Sequence, residues 1–146
     1  MMAATAAGTF VWPVRVYWED TDAGGVVYYA NYLKFMERAR TEWLRALGIE
    51  QGPLKEQHGV LLVIASIEAN YRRPAQYGDL LQVTCRVTGL ARASLSFEQL
   101  VYREQVGGEL ILEGRTKVAC IDASRFKPKP LPEKIGRASC RERVSS

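Results

Sequence analysis

Hydrophobic positions recur with two different periods along this chain, and the change of period separates one helix from several strands. Between Tyr29 and Leu47 the apolar residues recur mostly at steps of three and four. This spacing is typical of a helix with one buried face. Gly48 follows the last periodic residue, where a left-handed cap favours glycine. The pattern therefore predicts one long helix that ends near residue 47.

Strand-like segments lie on both sides of this helix. β-Branched and aromatic residues predict a strand over Val14 to Trp18. Later strands are predicted over Val60 to Tyr71, Leu80 to Leu90, Ser94 to Arg103 and Glu109 to Ile121. Gly52-Pro53 predicts a loop, Gly107-Gly108 a hairpin turn, and the prolines of Lys127 to Pro132 a surface segment. The order predicts an α+β fold, a five-stranded antiparallel sheet around one helix.

One domain accounts for most of the 146 residues, because the chain is too short for two ordinary domains. Residues 1–10 are small and rich in alanine and threonine, which predicts a disordered leader. Residues 136–146 show no periodicity and are interpreted as a vector-derived tail. The predicted domain therefore spans residues 11–135.

The charge of +4 comes from 20 basic and 16 acidic residues. Residues 136–146 hold three arginines and one glutamate, so the rest of the chain is nearly balanced at 17 against 15. This balance gives little reason to expect nucleic acid as a partner. Three cysteines without a CxxC pair favour a reducing compartment, and no apolar run is long enough for a bilayer. We expect a cytoplasmic protein that is not embedded in a membrane.

The strongest chemical signal is a loop with three acids, Glu19, Asp20 and Asp22, directly before the predicted helix. The first turn of a helix has unpaired N–H groups and a partial positive charge, which can polarise a substrate carbonyl. A nearby carboxylate can attack that carbonyl or activate a water. A thioester suits this pair because a thiolate, with a pKa of about 8.5, leaves without a general acid. The structural alternative is that the acids form turns and cap the helix.

Metal and histidine chemistry fit the sequence poorly. Asp20-x-Asp22 resembles the start of an EF-hand loop, but Gly24 and Asn31 stand where further calcium ligands are needed. The single histidine, His58, lies in a predicted connection, so a zinc site and a Ser-His-Asp or Cys-His arrangement all lack support. We therefore expect no metal and no cofactor, and any catalysis should rest on carboxylates.

Several basic and aromatic residues have two interpretations. Arg92 and Ser94 at a strand junction, and the Arg125 to Lys129 group, are typical of solvated surface residues, with a phosphate-bearing ligand as the functional alternative. The aromatic residues of the helix region favour a core position, although those nearest the helix start could also line a pocket. They are Tyr28, Tyr29, Tyr32, Phe35 and Trp43.

A long, specific motif resembles a known family. Residues 19–32, read with the preceding Arg15-Val16, resemble the signature of the 4-hydroxybenzoyl-CoA thioesterase-type hotdog family. Residues 35–42 and 70–75, with Gly78-Asp79, are similar to the bacterial Tol-Pal-associated acyl-CoA thioesterases within it. The resemblance covers nearly everything from Val14 to Pro132.

The resemblance implies a hotdog fold and an acyl-CoA thioester hydrolase that releases a free acid and CoA. It implies a homodimer, or a tetramer of two such dimers, with active sites at the dimer interface. Asp22 corresponds to the catalytic carboxylate and the Tyr29 N–H to the group that polarises the carbonyl. Glu37 is the second carboxylate to test, because another branch of hotdog thioesterases uses a helix glutamate. The expected substrate contacts are Val27, Tyr28, Asn31, Tyr32, Arg92, Ser94, Arg125 and Lys127. Tyr29 stands where many bacterial relatives carry histidine, so the acyl group is left open.

Two other functions remain in view from the sequence. A non-catalytic acyl-CoA or acyl-carrier binding module would use the same fold with acids that only cap the helix. A hotdog dehydratase is a weaker alternative because such enzymes generally use a histidine, and His58 is poorly placed for that role. Release of CoA from acyl-CoA substrates separates the first alternative from a hydrolase.

Overall fold

The computed structural model describes residues 3–4 and 9–145, with side chains from residue 9 to residue 139. One six-stranded antiparallel sheet has the order β1-β2-β4-β5-β6-β3, and its edge strand β1 has two residues. The strands are β1 (Ala3–Ala4), β2 (Phe10–Arg15), β3 (Val60–Tyr71), β4 (Leu80–Ala91), β5 (Ser94–Arg103) and β6 (Glu109–Asp122). The helices are α1 (Asn31–Ala46), α2 (Gln51–His58) and α3 (Glu133–Ser145). The five longer strands and α1 confirm the predicted α+β class.

Helix α1 packs its apolar stripe into the sheet, as its periodicity predicts. Close approach at the middle of the helix depends on Gly114 of β6, because a Cβ there would lie 2.5 Å from Met36 Cε. Trp43 packs edge-on against Phe97 of β5 with 5.2 Å between ring centroids. Gly48 has a φ of +80°, which confirms the predicted left-handed cap. The buried stripe consists of Tyr32, Phe35, Met36, Ala39, Arg40, Trp43 and Leu44.

One member of that stripe is charged. Arg40 is only 8% exposed, and its guanidinium donates to Gln99 Oε1 of β5 at 2.9 Å. Gln99 is fully buried and donates in turn from Nε2 to the Met36 carbonyl at 3.0 Å. Burial lowers the pKa of Arg40 from its usual value. This polar link fixes α1 against the sheet at a position where neither partner can be solvated.

Strand β3 forms one edge of the sheet and pairs only with β6. Of its twelve residues only Glu68 is charged, and most of them are exposed on both faces. The exposed apolar side chains include Val63, Ile64, Ile67 and Tyr71, with Ile64 at 49% exposure. A long, apolar edge strand of this kind is a surface on which a further strand can pair.

Two predictions of local structure are wrong. The strand predicted over Val14 to Trp18 lies earlier, as β2, and Trp18–Asp20 forms a short 3₁₀ turn instead. The loop predicted at Gly52-Pro53 is the first turn of α2. Proline is tolerated there because the first N–H groups of a helix have no intrahelical partner. Gly59, with a φ of +65°, ends α2.

The two ends of the chain also differ from expectation. Phe10, assigned to the leader, begins β2 and is buried, and Ala3–Ala4 pair with β2. Of the predicted leader, residues 1–2 and 5–8 lie outside the described part. Residues 136–145, expected to take no part in the fold, continue helix α3, in which Ala138 and Ser139 are buried. The origin of that tail stays a prediction.

Candidate active site

The acidic loop forms a small hairpin beside the start of α1. Asp22 N–H donates to the Val26 carbonyl at 2.9 Å, Thr21 pairs with Val27, and the Tyr28 N–H donates to the Asp20 carbonyl at 3.0 Å. These hydrogen bonds hold the segment that leads into α1 antiparallel to the acidic segment. Asp22 and the helix start are therefore held on the two arms of one hairpin.

The turn of this hairpin positions the Asp22 carboxylate. The Asp22 carbonyl accepts the Gly25 N–H at 3.0 Å, and its Oδ1 accepts the Gly24 N–H at 2.8 Å. Gly25 has a φ of +80°, a conformation that favours glycine. The Asp22 side chain is exposed, and its Oδ2 accepts no hydrogen bond within the described part of the chain. One carboxylate oxygen is thus fixed and the other can act on a substrate.

The start of α1 has no side-chain cap. Its N-cap residue is Ala30, which makes no capping hydrogen bond, and no acid lies in the first turn. Asp20 instead accepts the Tyr17 N–H at 2.8 Å, so the interpretation of the acids as caps of this helix is wrong. In the part of the chain that the structure describes, the Tyr29 N–H donates no hydrogen bond. An unpaired donor at a helix start is suited to an anionic oxygen.

Buried contacts hold this hairpin against the rest of the fold. The fully buried Ala75 accepts the Val27 N–H at 2.8 Å and donates its own N–H to the Tyr32 hydroxyl at 3.0 Å. Burial raises the pKa of Tyr32. Asn31 Nδ2 donates to the Asp20 carbonyl at 2.8 Å. Val27, Asn31 and Tyr32 therefore support the hairpin, and their predicted contact with substrate stays a prediction.

Aromatic rings cluster around the Tyr29 side chain. Tyr28 and Tyr29 are 45% and 63% exposed, so the core position favoured for them is wrong, whereas Tyr32 is buried as expected. The Tyr28 and Tyr29 rings lie 4.8 Å apart, and Tyr71 at the end of β3 packs edge-on against Tyr29 at 6.5 Å. The Tyr71 hydroxyl donates to the Tyr29 carbonyl at 3.1 Å. These rings form an apolar wall beside the open donor.

The expected CoA contacts lie at the other end of the sheet. Arg92 and Ser94 lie where β4 meets β5, and Arg125 and Lys127 follow the end of β6. The Asp22 hairpin instead pairs with residues 75–79, which precede the start of β4. The twelve residues of β4 separate the two groups by about 36 Å of strand. A single chain does not bring all the predicted site residues together.

The turn after β6 is nevertheless well ordered. Asp122 Oδ1 accepts the N–H groups of Ser124 and Arg125, each at 2.9 Å, and the Ser124 hydroxyl at 2.8 Å. These hydrogen bonds lower the pKa of Asp122 to about 2. The turn therefore carries Arg125 and Lys127 as exposed cations at a defined place.

The other candidates lie away from the hairpin. Glu37 is exposed on α1 and lines a cavity of about 110 Å³ together with Arg40 and Leu62. His58 is exposed at the end of α2, and its imidazole makes no hydrogen bond within the described residues. Within the described ranges there is no group of His, Cys, Asp or Glu residues arranged for a metal ion. No helix among those residues is long and apolar enough to cross a membrane.

Comparison with known proteins fixes the family. Residues 16–138, which include the hairpin and the whole of α1, match the model of the thioesterase-like superfamily. The chain belongs to this superfamily.

Curated relatives and solved structures of the superfamily resemble this chain over nearly their whole length. The acyl-CoA thioesterase YbgC of Haemophilus influenzae is 42% identical over 129 residues, 88% of this chain and 93% of the relative. YbgC of Helicobacter pylori is 33% identical, over 82% of this chain and 91% of the relative. The crystal structure of Slr0204, a 1,4-dihydroxy-2-naphthoyl-CoA thioesterase from Synechocystis, superimposes with a TM-score of 0.84 at 26% identity, covering 91% and 96% of the two chains. The predicted hotdog fold is thereby confirmed.

Sequence reasoning missed two residues of the site. Ala75 carries no chemical signal, because it acts through its backbone. Tyr71 ends a correctly predicted strand, but its contact with Tyr29 joins positions 42 residues apart. Both residues lie in the motif of residues 70–75 that resembles the family, and that motif was the signal that could have drawn attention to them.

Proposed function

We propose that this chain hydrolyses acyl-CoA thioesters to a free carboxylic acid and CoA. The observation that carries the proposal is the hairpin, which holds an exposed carboxylate on one arm and an unpaired N–H on the other. The relatives named as acyl-CoA thioesterases, at up to 42% identity over most of the chain, support the same activity.

In this mechanism the thioester carbonyl oxygen accepts the Tyr29 N–H. The partial positive charge at the start of α1 stabilises the oxyanion as the tetrahedral centre forms. Asp22 either attacks the carbonyl carbon, giving an acyl anhydride that water then cleaves, or takes a proton from the attacking water. In both routes the C–S bond breaks and CoA leaves as a thiolate. Tyr28 and Tyr29 provide the aromatic wall against the acyl group.

A homodimer brings the two ends of the sheet together. A second copy pairing antiparallel along the bare edge of β3 buries the exposed apolar residues of that strand. Because a two-fold axis reverses the partner's strand, Val60 of the partner lies beside Tyr71. Val60 pairs with Asp122 in the sheet, so the partner's Arg125 and Lys127 come close to the hairpin. There the two cations can bind the CoA phosphates. The partner's Arg92 and Ser94, at the same end of the sheet, would contribute to this binding.

Further assembly and location follow from the same reasoning. A tetramer would consist of two such dimers, with the β3 pair unchanged. The cysteine pattern supports the cytoplasm as the compartment, where CoA thioesters would be the available substrate.

The proposal is tested by thiol release from short, long and aromatic acyl-CoAs. Asp22→Asn keeps the shape of the side chain and removes its charge, and we expect kcat to fall by about 100-fold or more. Glu19→Gln is the matched control, because Glu19 is an exposed acid in the same loop and makes no hydrogen bond or ion pair within the described residues. Its kcat should stay near the wild-type value. Normal turnover by Asp22→Asn would refute the mechanism, and no thiol release from the wild type would favour a binding module.

Mixing two inactive variants tests the shared site. Asp22→Asn and a variant with both Arg125→Ala and Lys127→Ala each damage every site of their own homodimer. A mixed dimer of the two holds one site with both lesions and one intact site, if the cations come from the partner. We expect activity to return on mixing. Failure to recover activity from verified mixed dimers would place the cations and Asp22 in one subunit.

A further inference from the structure

Tyr71 connects the edge strand of the sheet to the start of α1. It is the last residue of β3, and its hydroxyl donates to the Tyr29 carbonyl at 3.1 Å. Its ring also packs edge-on against Tyr29 at 6.5 Å and against the buried Tyr32 at 5.7 Å. Tyr32 is held by its hydrogen bond to Ala75. Tyr71 thus joins the exposed Tyr29 to a fixed part of the core.

The bond from Tyr71 is the hydrogen bond that the Tyr29 backbone itself makes within the described residues, and its neighbours Tyr28 and Asn31 are bonded separately. The Tyr29 side chain is 63% exposed, no side chain caps the helix, and Tyr29 itself lies before the first residue of α1. The peptide group that carries the Tyr29 N–H is held by its other end, because the Tyr28 carbonyl accepts the Asn31 N–H at 2.8 Å. The hydrogen bond from Tyr71 holds the next peptide group through the Tyr29 carbonyl, so the two bonds together fix the Tyr29 Cα from which the N–H is directed. A donor contributes to oxyanion stabilisation only when it is aimed before the charge develops.

We propose that Tyr71 is a positioning residue of the thioesterase site, which orients the Tyr29 N–H toward the substrate carbonyl. Because Tyr71 ends β3, this orientation also depends on the edge of the sheet that the second subunit covers. The inference rests on the proposed function. Tyr71 is 48% exposed in the single chain, at the end of the edge along which the second copy pairs. Covering this edge removes water that competes for the Tyr29 carbonyl, so the donor is best ordered in the assembled protein.

The protonation state of Tyr71 agrees with its role as donor. Partial burial raises the pKa of the Tyr71 hydroxyl, and the neighbouring Tyr29 raises it further. The hydroxyl therefore keeps its proton throughout the neutral range and can donate at any pH at which the enzyme is assayed.

Tyr71→Phe removes the hydroxyl and keeps the ring. We expect kcat to fall about tenfold, with KM unchanged within about twofold, because the lost interaction acts on the transition state. Tyr102→Phe is the matched control, since the Tyr102 hydroxyl on β5 makes no hydrogen bond in the described part of the chain, and its kcat should equal that of the wild type. Size-exclusion chromatography should give the same oligomer for all three proteins. Full activity of Tyr71→Phe, or an increase in KM without loss of kcat, would overturn the inference.

A spectroscopic readout separates positioning from a structural role. In an Asp22→Asn background, acyl-CoA labelled with ¹³C at the thioester carbonyl stays bound, and infrared difference spectra report the polarisation of its C=O bond. We expect a lowered stretching frequency that returns toward the value of free thioester on adding Tyr71→Phe, but not on adding Tyr102→Phe. An unchanged frequency with Tyr71→Phe would overturn the inference while leaving the hydrolase intact. Absence of thiol release from the wild type would overturn both.

Discussion

Replacing Gln99 with leucine should destabilise the protein by about 3 kcal/mol. Leucine has nearly the same volume, so the change removes hydrogen bonds without leaving a large cavity. The Arg40 guanidinium, 8% exposed, loses an acceptor 2.9 Å away, which costs about 1.5 to 3 kcal/mol for a charged donor. The bond to the Met36 carbonyl, 3.0 Å long, contributes about 1 kcal/mol more. For a chain of this length the loss corresponds to a fall in Tm of about 10 °C.

Thermal unfolding followed by circular dichroism measures this effect. All variants are compared at one protomer concentration, because the stability of a dimer depends on it. Gln82→Leu is the control: the Gln82 side chain donates to the exposed Glu104 carbonyl at 3.1 Å, and its loss should cost less than about 1 kcal/mol. Arg40→Met added to Gln99→Leu should restore part of the stability, since it removes the unpaired charge. Equal Tm values for Gln99→Leu and Gln82→Leu would refute the reasoning. A double variant whose loss of stability equals the sum of the losses of Arg40→Met and Gln99→Leu would refute it as well.

Two further predictions concern turns at the two ends of the sheet. Gly25→Ala should destabilise the protein by about 1 kcal/mol and reduce kcat, because a Cβ is strained at a φ of +80° in the turn that holds Asp22. Gly52→Ala is the control, since Gly52 lies in the first turn of α2 with open space around it and its replacement should not destabilise the protein. Equal Tm values for the two variants would contradict this prediction. NMR titration should give Asp122 a pKa of about 2, so its contribution to stability is present above the unfolded value of about 3.9 and is lost as the pH falls through about 2. Ser124→Ala removes one of its three donors and should raise that pKa, and an unchanged midpoint would show that the hydroxyl has no part in it.

Much of the fold could be predicted because its elements follow local rules. The stripe of α1 gave its bounds to within two residues, and the strand predicted over Val60 to Tyr71 has the bounds of β3. The errors have local causes too. Pro53 hid α2, because a proline in a first turn has the same appearance in sequence as a proline in a loop. Trp18, a strand former by composition, lies in a 3₁₀ turn where the hydrogen bonds of Asp20 decide the backbone.

The candidate site was also predictable only in part. An acid-rich loop before a helix is visible in sequence, and so is the family motif that contains it. The sequence does not show that the Asp20 carboxylate accepts the Tyr17 N–H, which leaves the start of α1 without a side-chain cap. It assigned Asp22 and Arg125 to one site at a dimer interface, and that assignment stays a prediction, since the two residues lie at opposite ends of the sheet of one subunit.

The sequence by itself determined the identities and periods of the elements, because burial of one helix face and alternation along a strand are properties of neighbouring residues. Only the tertiary structure decided which ends meet. Tyr71 reaches Tyr29, and Gln99 reaches Arg40, across 42 and 59 residues. Such contacts depend on strand order and register, and these are set by the packing of the whole sheet around α1, which no local pattern contains.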